Sequence, residues 1–177
     1  MLRVVLDTNV LVSAIISNGK PRELLRKGIA NQFSIVTSDL ILKELATVLR
    51  RPKFKTSEDE IHRIILALIQ SSEIASVTSR FEAVKEDPKD DIVINTAYDG
   101  HADFIVTGDR HLLELESFRG IKILTVGSLL ELLQKEVMKR GLEGEVVVLR
   151  PRLEPLFLTV EDCVTRIEGK WDEEKRS

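Results

Sequence analysis

The segment Arg3-Val4-Val5-Leu6-Asp7-Thr8-Asn9 decides the fold of this chain, because a short apolar run stops abruptly at a carboxylate. A run of this length that ends in a polar residue is typical of a buried β-strand. Apolar residues then recur at helical spacing, namely Val10, Leu11, Ala14 and Ile15. A buried strand that leads directly into a helix predicts an α/β domain.

The same alternation continues along the chain. Short apolar runs predict further strands at 35–37, 74–77, 104–107 and 121–124. Helices are predicted at 22–30, from Ser38 to Leu49, from Ser57 onward, at 90–100 and at 128–140, with Gly141 ending the last one. This order predicts a mostly parallel sheet with helices on both faces. We expect one domain over 1–141 and a C-terminal strand-helix appendage over 142–177.

Composition limits the classes of function. The chain has 177 residues and a net charge of -3, which argues against tight, purely electrostatic binding to long nucleic-acid duplexes. No apolar run reaches the roughly 18 residues of a membrane span, so no membrane partner is expected. Cys163 is the single cysteine, which excludes an intrachain disulfide and favours a reducing, cytoplasmic location.

Acidic residues stand at four places along the predicted domain: Asp7, Glu44, the pair Asp90-Asp91, and Asp109. Asp7 and Asp109 follow strands, the pair begins a helix, and Glu44 interrupts an apolar helical stripe. Sites in open α/β sheets form beyond the carboxyl ends of the strands, so these carboxylates are expected to converge. Oxygen ligands select hard cations, which predicts Mg²⁺ or Mn²⁺. The alternative is structural: helix caps, charges favoured by helix dipoles, a turn residue and an exposed helical residue.

The same segments, in the same order, resemble the PIN-domain nucleases, especially the toxins of prokaryotic toxin–antitoxin pairs. The resemblance covers about 1–135 and rests on four blocks: Val5-Leu6-Asp7-Thr8-Asn9-Val10, Glu44 in its helix, Asp87-Pro88-Lys89-Asp90-Asp91, and Ile105-Val106-Thr107-Gly108-Asp109. It implies a three-layer α/β/α sandwich and Mg²⁺- or Mn²⁺-dependent endonucleolytic cleavage of single-stranded or structured RNA. It also implies a homodimer and a neutralising antitoxin protein.

The resemblance also implies roles for particular residues. Its metal-binding and catalytic acids fall on Asp7, Glu44 and Asp109. The third acid is either Asp90 or Asp91. Counting back from Asp109 indicates Asp91, whereas counting back within the helix from Ala97 indicates Asp90. Polar neighbours expected to support the ligands are Thr8, Asn9, Asn95 and Thr107.

The densest basic segment follows the predicted Glu44 helix. Arg50, Arg51, Lys53 and Lys55 are candidates for contact with RNA phosphates, with Phe54 between them to stack on a base. Arg22 is a weaker candidate of the same kind. The alternative, which the sequence favours, is a set of cations at a helix C-terminus followed by a solvated loop.

Two other functions remain open from the sequence. A phosphotransferase of the haloacid-dehalogenase type also carries an Asp after its first strand, but it has Asp-x-Asp where this chain has Asp7-Thr8-Asn9. A non-catalytic binding module with a PIN-like fold is the second alternative. The acids present at all four places argue against that module.

Overall fold

A computed structural model of the protein describes residues 1–83 and 90–142. The predicted appendage lies outside the described residues from 143 onward, as does the segment 84–89. The strands are β1 (Arg3–Leu6), β2 (Ser34–Thr37), β3 (Ser72–Ile74), β4 (Phe104–Val106), β5 (Ser117–Phe118) and β6 (Ile121–Leu124). The helices are α1 (Thr8–Ile16), α2 (Lys20–Ile29), α3 (Asp39–Leu49), α4 (Glu58–Ser71), α5 (Asp90–Asp99), α6 (Arg110–Glu114) and α7 (Val126–Leu142).

The strands of the described residues form one sheet in the order β3-β2-β1-β4-β6-β5. Every neighbouring pair is parallel except β5 with β6, and helices cover both faces of the sheet. This arrangement confirms the predicted three-layer α/β/α fold with a mostly parallel sheet. The innermost strands β1 and β4 are almost wholly apolar and inaccessible to solvent, as expected for parallel strands covered on both faces.

The order of the strands creates a switch point between β1 and β4. The chain moves outward from β1 to β2 and β3 on one side, then returns to place β4 on the other side of β1. In open α/β sheets the crevice at such a point, beyond the carboxyl ends of the strands, is where ligands bind. Leu6 pairs with Val106 in this register, so the residues that follow these two strands are neighbours.

Capping residues in the sequence correctly predicted where two helices begin. The Ser38 hydroxyl accepts a hydrogen bond from the backbone N–H of Ile41 at 3.3 Å and starts α3. Ser57 and Glu60 form the reciprocal capping box at the start of α4, each binding the backbone N–H of the other. Both N-termini therefore follow from short-range chemistry.

Other boundaries were wrong. The predicted strand at 74–77 is instead β3, which ends at Ile74, because its pairing with β2 sets its limits. Gly141 does not end α7, which includes it and continues to Leu142. The short elements α6 and β5 were not predicted. No helix among the described residues has both the length and the apolar character needed to cross a lipid bilayer.

Candidate functional site

The end of β1 and the end of β4 form the centre of the candidate site. Asp7 follows β1 and donates its backbone N–H to the Val106 carbonyl at 2.9 Å, so its position is set by the sheet. The next residue after Val106 is Thr107, which is fully buried. This places the Asp7 side chain beside Thr107, at the switch point between the two strands.

Asp7 is a buried carboxylate held by two side chains. It is only 6% exposed, and its Oδ2 accepts hydrogen bonds from Thr107 Oγ1 at 2.6 Å and from Asn9 Nδ2 at 2.9 Å. Burial raises the pKa of Asp7 above its ordinary value, and the bond from Thr107 opposes that effect. The negative charges of Glu44 and Asp109 raise this pKa further. Glu44 and Asp109 therefore both lie close enough to Asp7 for their charges to act on it.

Glu44 reaches the site from α3. It is half-buried, and its Oε2 accepts a hydrogen bond from Thr8 Oγ1 at 2.8 Å. Thr8 is the first residue of α1 and directly follows Asp7. A threonine next to one acid therefore fixes the direction of another.

Asp109 is tied to the same network through its backbone. Its N–H donates to Thr107 Oγ1 at 2.9 Å, and the preceding Gly108 N–H donates to Asn9 Oδ1 at 3.2 Å. The Asp109 side chain also accepts from the His111 N–H at 2.7 Å, so it caps α6. Asp109 thus caps a helix, a role that was not predicted, and its charge also acts on Asp7.

Asp90 and Asp91 lie in the first turn of α5, and both are 9% exposed. This helix packs against β1, β4 and α3, the elements that carry or precede the other acids. Asp91 Oδ1 accepts a hydrogen bond from the Ala83 N–H at 2.8 Å. Asn95, one turn later, accepts from the Phe81 N–H at 2.8 Å and donates to the Phe81 carbonyl at 3.2 Å. The Asn95 amide is therefore engaged with backbone and holds the segment before α5.

The donor set is chemically suited to a hard cation, since it consists of carboxylate, hydroxyl and amide oxygens. The mutual repulsion at Asp7 is of the kind that a bound cation relieves. In the described part of the chain, however, no group of three or more His, Cys, Asp or Glu side chains is arranged to hold a metal ion. The residue types therefore fit the chemistry of a hard cation, although the described side chains are not arranged as a complete set of ligands.

Sequence reasoning missed a buried link between the two acid-bearing helices. Ser38, the cap of α3, lies 2.8 Å from the Thr96 hydroxyl on α5, and both residues are inaccessible to solvent. The sequence held a signal, because Thr96 lies one turn or less from Val93, Ile94 and Ala97, which are buried in α5, and a buried hydroxyl needs a partner. The pair fixes the start of the Glu44 helix against the helix of Asp90 and Asp91.

The cations of the basic segment lie at the C-terminal end of α3 and in the exposed loop after it, which agrees with the interpretation that the sequence favoured. Phe54 is 6% exposed and belongs to the core, so the prediction that it stacks on a base was wrong. Arg50 forms two bonds to the Glu58 carboxylate, at 2.8 and 3.0 Å. Lys53 lies 4.8 Å from the Phe54 ring centroid. The exposed cations Arg51, Lys53 and Lys55 surround a turn whose aromatic residue is structural.

Arg22, the weaker candidate for phosphate contact, is also structural. It is 8% exposed, and its guanidinium donates to the carbonyls of Ala14 at 3.0 Å and Ile15 at 3.2 Å and to the side chain of Asn18. These bonds satisfy carbonyls at the C-terminal end of α1, which the helix itself leaves without partners. A buried arginine in this role is not available to RNA.

Comparisons with known proteins agree with this architecture. A family model of the PIN domain matches residues 3–111. The uncharacterized protein MJ1680 of Methanocaldococcus jannaschii is 35% identical over 118 residues, which cover 64% of this chain and 75% of that protein. A chain in the crystal structure of VapBC2 from Rickettsia felis, bound to a DNA fragment from its promoter, is similar in fold. It has a TM-score of 0.52 and 16% identity and covers 70% of this chain and 98% of that one. The chain belongs to the PIN domain family.

Proposed function

We propose that this protein is a metal-dependent endoribonuclease and the toxin of a toxin–antitoxin pair. The observation that carries the proposal is the buried carboxylate of Asp7, which lies at the switch point and is repelled by Glu44 and Asp109. Such an arrangement costs folding free energy, and it occurs in a chain of the PIN domain family, whose members are generally nucleases. We propose that this cost in folding free energy is tolerated because the Asp7 carboxylate acts in catalysis.

Mg²⁺ or Mn²⁺ is the proposed cofactor, held by Asp7, Glu44, Asp109 and one of Asp90 and Asp91. When bound, such an ion lowers the pKa of a water molecule and polarises a phosphoryl oxygen. The protein contributes the placement of its carboxylates. Thr107 and Asn9 hold Asp7, and Thr8 holds Glu44, so each ligand is oriented before substrate arrives.

Single-stranded or structured RNA is the proposed substrate. The chain has a net charge of -3, so it needs a local positive surface to bind a polyanion. The exposed cations Arg51, Lys53 and Lys55 lie just beyond α3, the helix that carries Glu44. They are proposed to contact phosphates, whereas Arg50 is engaged with Glu58.

An antitoxin protein is the proposed partner, and a homodimer is the proposed assembly. The sequence resembles the toxins of such pairs, and the fold is similar to a chain in the VapBC2 structure. Co-purification with the product of a neighbouring small gene tests the first, and light scattering tests the second.

The nuclease is tested by cleavage of RNA with Mg²⁺ or Mn²⁺, using wild type, Asp7→Asn and the matched control Asp59→Asn. Asp59 is an exposed aspartate on α4, distant in sequence from all four acidic places. We expect cleavage by wild type and by Asp59→Asn, and loss of cleavage in Asp7→Asn. Equal cleavage by all three would remove Asp7 from the site. Cation binding without cleavage of any RNA would favour the non-catalytic module, and a covalent phosphate on Asp7 would favour the phosphotransferase.

A further inference from the structure

A cleft opens at the end of the sheet opposite to the acidic residues, and its volume is about 510 Å³. It lies beside Leu2, which precedes β1, and beside Phe104 and Ile121, which are the first residues of β4 and β6. Leu2 and Asp7 are five residues apart along an extended strand, a distance of about 16 Å. Small-molecule sites have volumes of about 300 to 1,000 Å³. The cleft is therefore large enough to be a binding site, and it is separate from the carboxylates.

The turn between β5 and β6 places an arginine where asparagine or glycine is favoured. Phe118 pairs with Ile121, so Arg119 and Gly120 form a two-residue hairpin loop. Their φ values are 49° and 89°, and a type I′ turn, which requires positive φ at both positions, favours Asn-Gly, Asp-Gly or Gly-Gly. A left-handed backbone costs free energy for an arginine, and residues held in such conformations cluster at functional sites. The Arg119 side chain therefore has to contribute something that offsets this cost.

Three aromatic rings hold the Arg119 guanidinium at the cleft. Its central carbon lies 4.7 Å from the ring centroid of Phe81, 5.7 Å from that of Tyr98 and 5.8 Å from that of Phe118. Arg119 is exposed, and within 1–83 and 90–142 its guanidinium takes part in no hydrogen bond or ion pair. Contact with ring faces fixes the position of the guanidinium and leaves its five N–H donors available to a ligand.

The other charged residues of the cleft are mostly basic. Lys122 on β6 is exposed, and its ammonium group has no hydrogen bond or ion pair in the described part of the chain. His101 also lines the cleft. Among the described residues of the lining, Asp103 is the one acid, and its Oδ2 accepts from the Arg3 N–H at 2.8 Å. Since the whole chain carries a net charge of -3, this excess of cations is a local feature that favours an anionic ligand.

We propose that this cleft binds a nucleoside phosphate, either free or as one residue of an RNA strand. Arg119 and Lys122 bind the phosphate, because a guanidinium matches two phosphate oxygens and an ammonium adds a point charge. The base stacks on the ring of Tyr98, which lines the cleft and is 37% exposed. A Cβ at Gly120 would meet no atom within 4 Å, so the turn leaves room for the ligand. The site uses none of the residues of the proposed nuclease centre.

The test measures binding of four probes to the full chain by calorimetry: AMP, adenosine, inorganic phosphate and a short oligoadenylate. EDTA is present, so that neither RNA cleavage nor the proposed metal site contributes. We expect AMP to bind at least about tenfold more tightly than adenosine or inorganic phosphate, because only AMP engages both the cations and the ring. The oligoadenylate identifies the source of the ligand. Tighter binding than AMP indicates an RNA strand, and equal or weaker binding indicates a free nucleotide.

The variant Arg119→Asn separates ligand binding from support of the fold. Asparagine is favoured at the first position of a type I′ turn, so the variant should melt at the Tm of wild type or above it. It should nevertheless bind AMP about tenfold more weakly, as should Lys122→Gln. A purely structural arginine would instead lower Tm on replacement without altering AMP affinity. The matched controls are Arg63→Gln and Lys135→Gln, exposed cations of α4 and α7, which should keep the wild-type affinity.

The proposal is overturned if wild type binds no AMP, or if Arg119→Asn and Lys122→Gln both bind AMP as tightly as wild type. Equal affinity for AMP and adenosine would also overturn it, since the cations would then contribute nothing. Equal affinity for AMP and inorganic phosphate would remove the base, and with it the nucleotide, from the site. Should Arg119→Asn melt below wild type, Lys122→Gln decides, because it leaves the turn unchanged. Failure of AMP binding in EDTA leaves the proposed nuclease intact, and failure of RNA cleavage leaves this cleft intact.

Discussion

Replacing Asp7 with asparagine is predicted to stabilise the metal-free protein while abolishing its activity. Burial and the charges of Glu44 and Asp109 raise the pKa of Asp7, so its ionised form is unfavourable in the folded state. An amide removes that charge. Its oxygen can still accept from Thr107 and Asn9, which bind the same oxygen of Asp7. Optimising an unfavourable functional site typically gains about 0.5 to 2 kcal/mol.

The gain has a defined dependence on pH. An acid whose folded pKa is raised binds its proton more tightly in the folded state than in the unfolded state. Its contribution to stability is therefore greatest below the ordinary pKa of 3.8, falls as pH rises through the raised value, and is constant above it. The advantage of the Asp7→Asn variant should accordingly be absent at acid pH and should increase as pH rises through the raised pKa of Asp7.

The assay is thermal unfolding at pH 7 in EDTA and then in Mn²⁺, with Asp59→Asn as the control. For a chain of this length, the expected gain raises Tm by roughly 1 to 8 °C in EDTA. Ligand at a hundred times its Kd stabilises a folded protein by about 2.7 kcal/mol, so Mn²⁺ should raise the Tm of wild type above that of the variant. A variant that melts below wild type in EDTA would refute the electrostatic reasoning. Equal stabilisation of both proteins by Mn²⁺ would remove Asp7 from the metal site.

Three further changes test the site, the packing and the tail. Thr107→Val removes the hydroxyl that binds Asp7 and the Asp109 N–H, so it should lower kcat by about ten- to hundredfold, while Thr47→Val on the exposed side of α3 should not. Gly28→Ala places a methyl group 2.6 Å from the side chain of Ile35 in β2. It should lower the free energy of unfolding, measured in urea, by about 1 to 3 kcal/mol. Gly127→Ala, with its nearest atoms 3.9 Å away, should not destabilise. Deleting 142–177 should change the oligomeric state measured by light scattering, because Val137 and Met138 near the end of α7 are exposed and the deleted segment contains further apolar residues; an unchanged oligomer would contradict this.

The parts of the fold that were predictable have strong local causes. The strand before Asp7 is a continuous apolar run, and the starts of α3 and α4 are set by hydroxyl groups at Ser38 and Ser57 that bind the first turn. These signals depend on a few neighbouring residues. They therefore do not depend on how the rest of the chain packs. The order of strands and helices follows from them.

The parts that were not predictable depend on distant partners or on weak preferences. β5 has two residues, and its existence depends on pairing with Ile121 and Lys122 of β6. β3 is limited by its register with β2, so its sequence alone did not set its end. Glycine inside a helix costs only about 1 kcal/mol relative to alanine. The interactions of the long helix α7 outweigh that cost, so the helix continues through Gly141.

The acidic residues show why their spacing along the chain does not determine every member of the candidate site. Asp7 and Asp109 were predictable because parallel strands bring their carboxyl ends together whatever the helices do. Asp90 and Asp91 were not separable, because both counts are consistent with the sequence and only the direction of each side chain distinguishes them. Asp91 accepts a hydrogen bond from the Ala83 N–H, and Asp99 at the other end of α5 accepts one from the Thr78 N–H, so the segment before α5 contacts the helix at both ends. Contacts of this kind are not readable from spacing, and the loss of Mn²⁺ affinity in Asp90→Asn compared with that in Asp91→Asn tests which of the two acids binds the proposed cation.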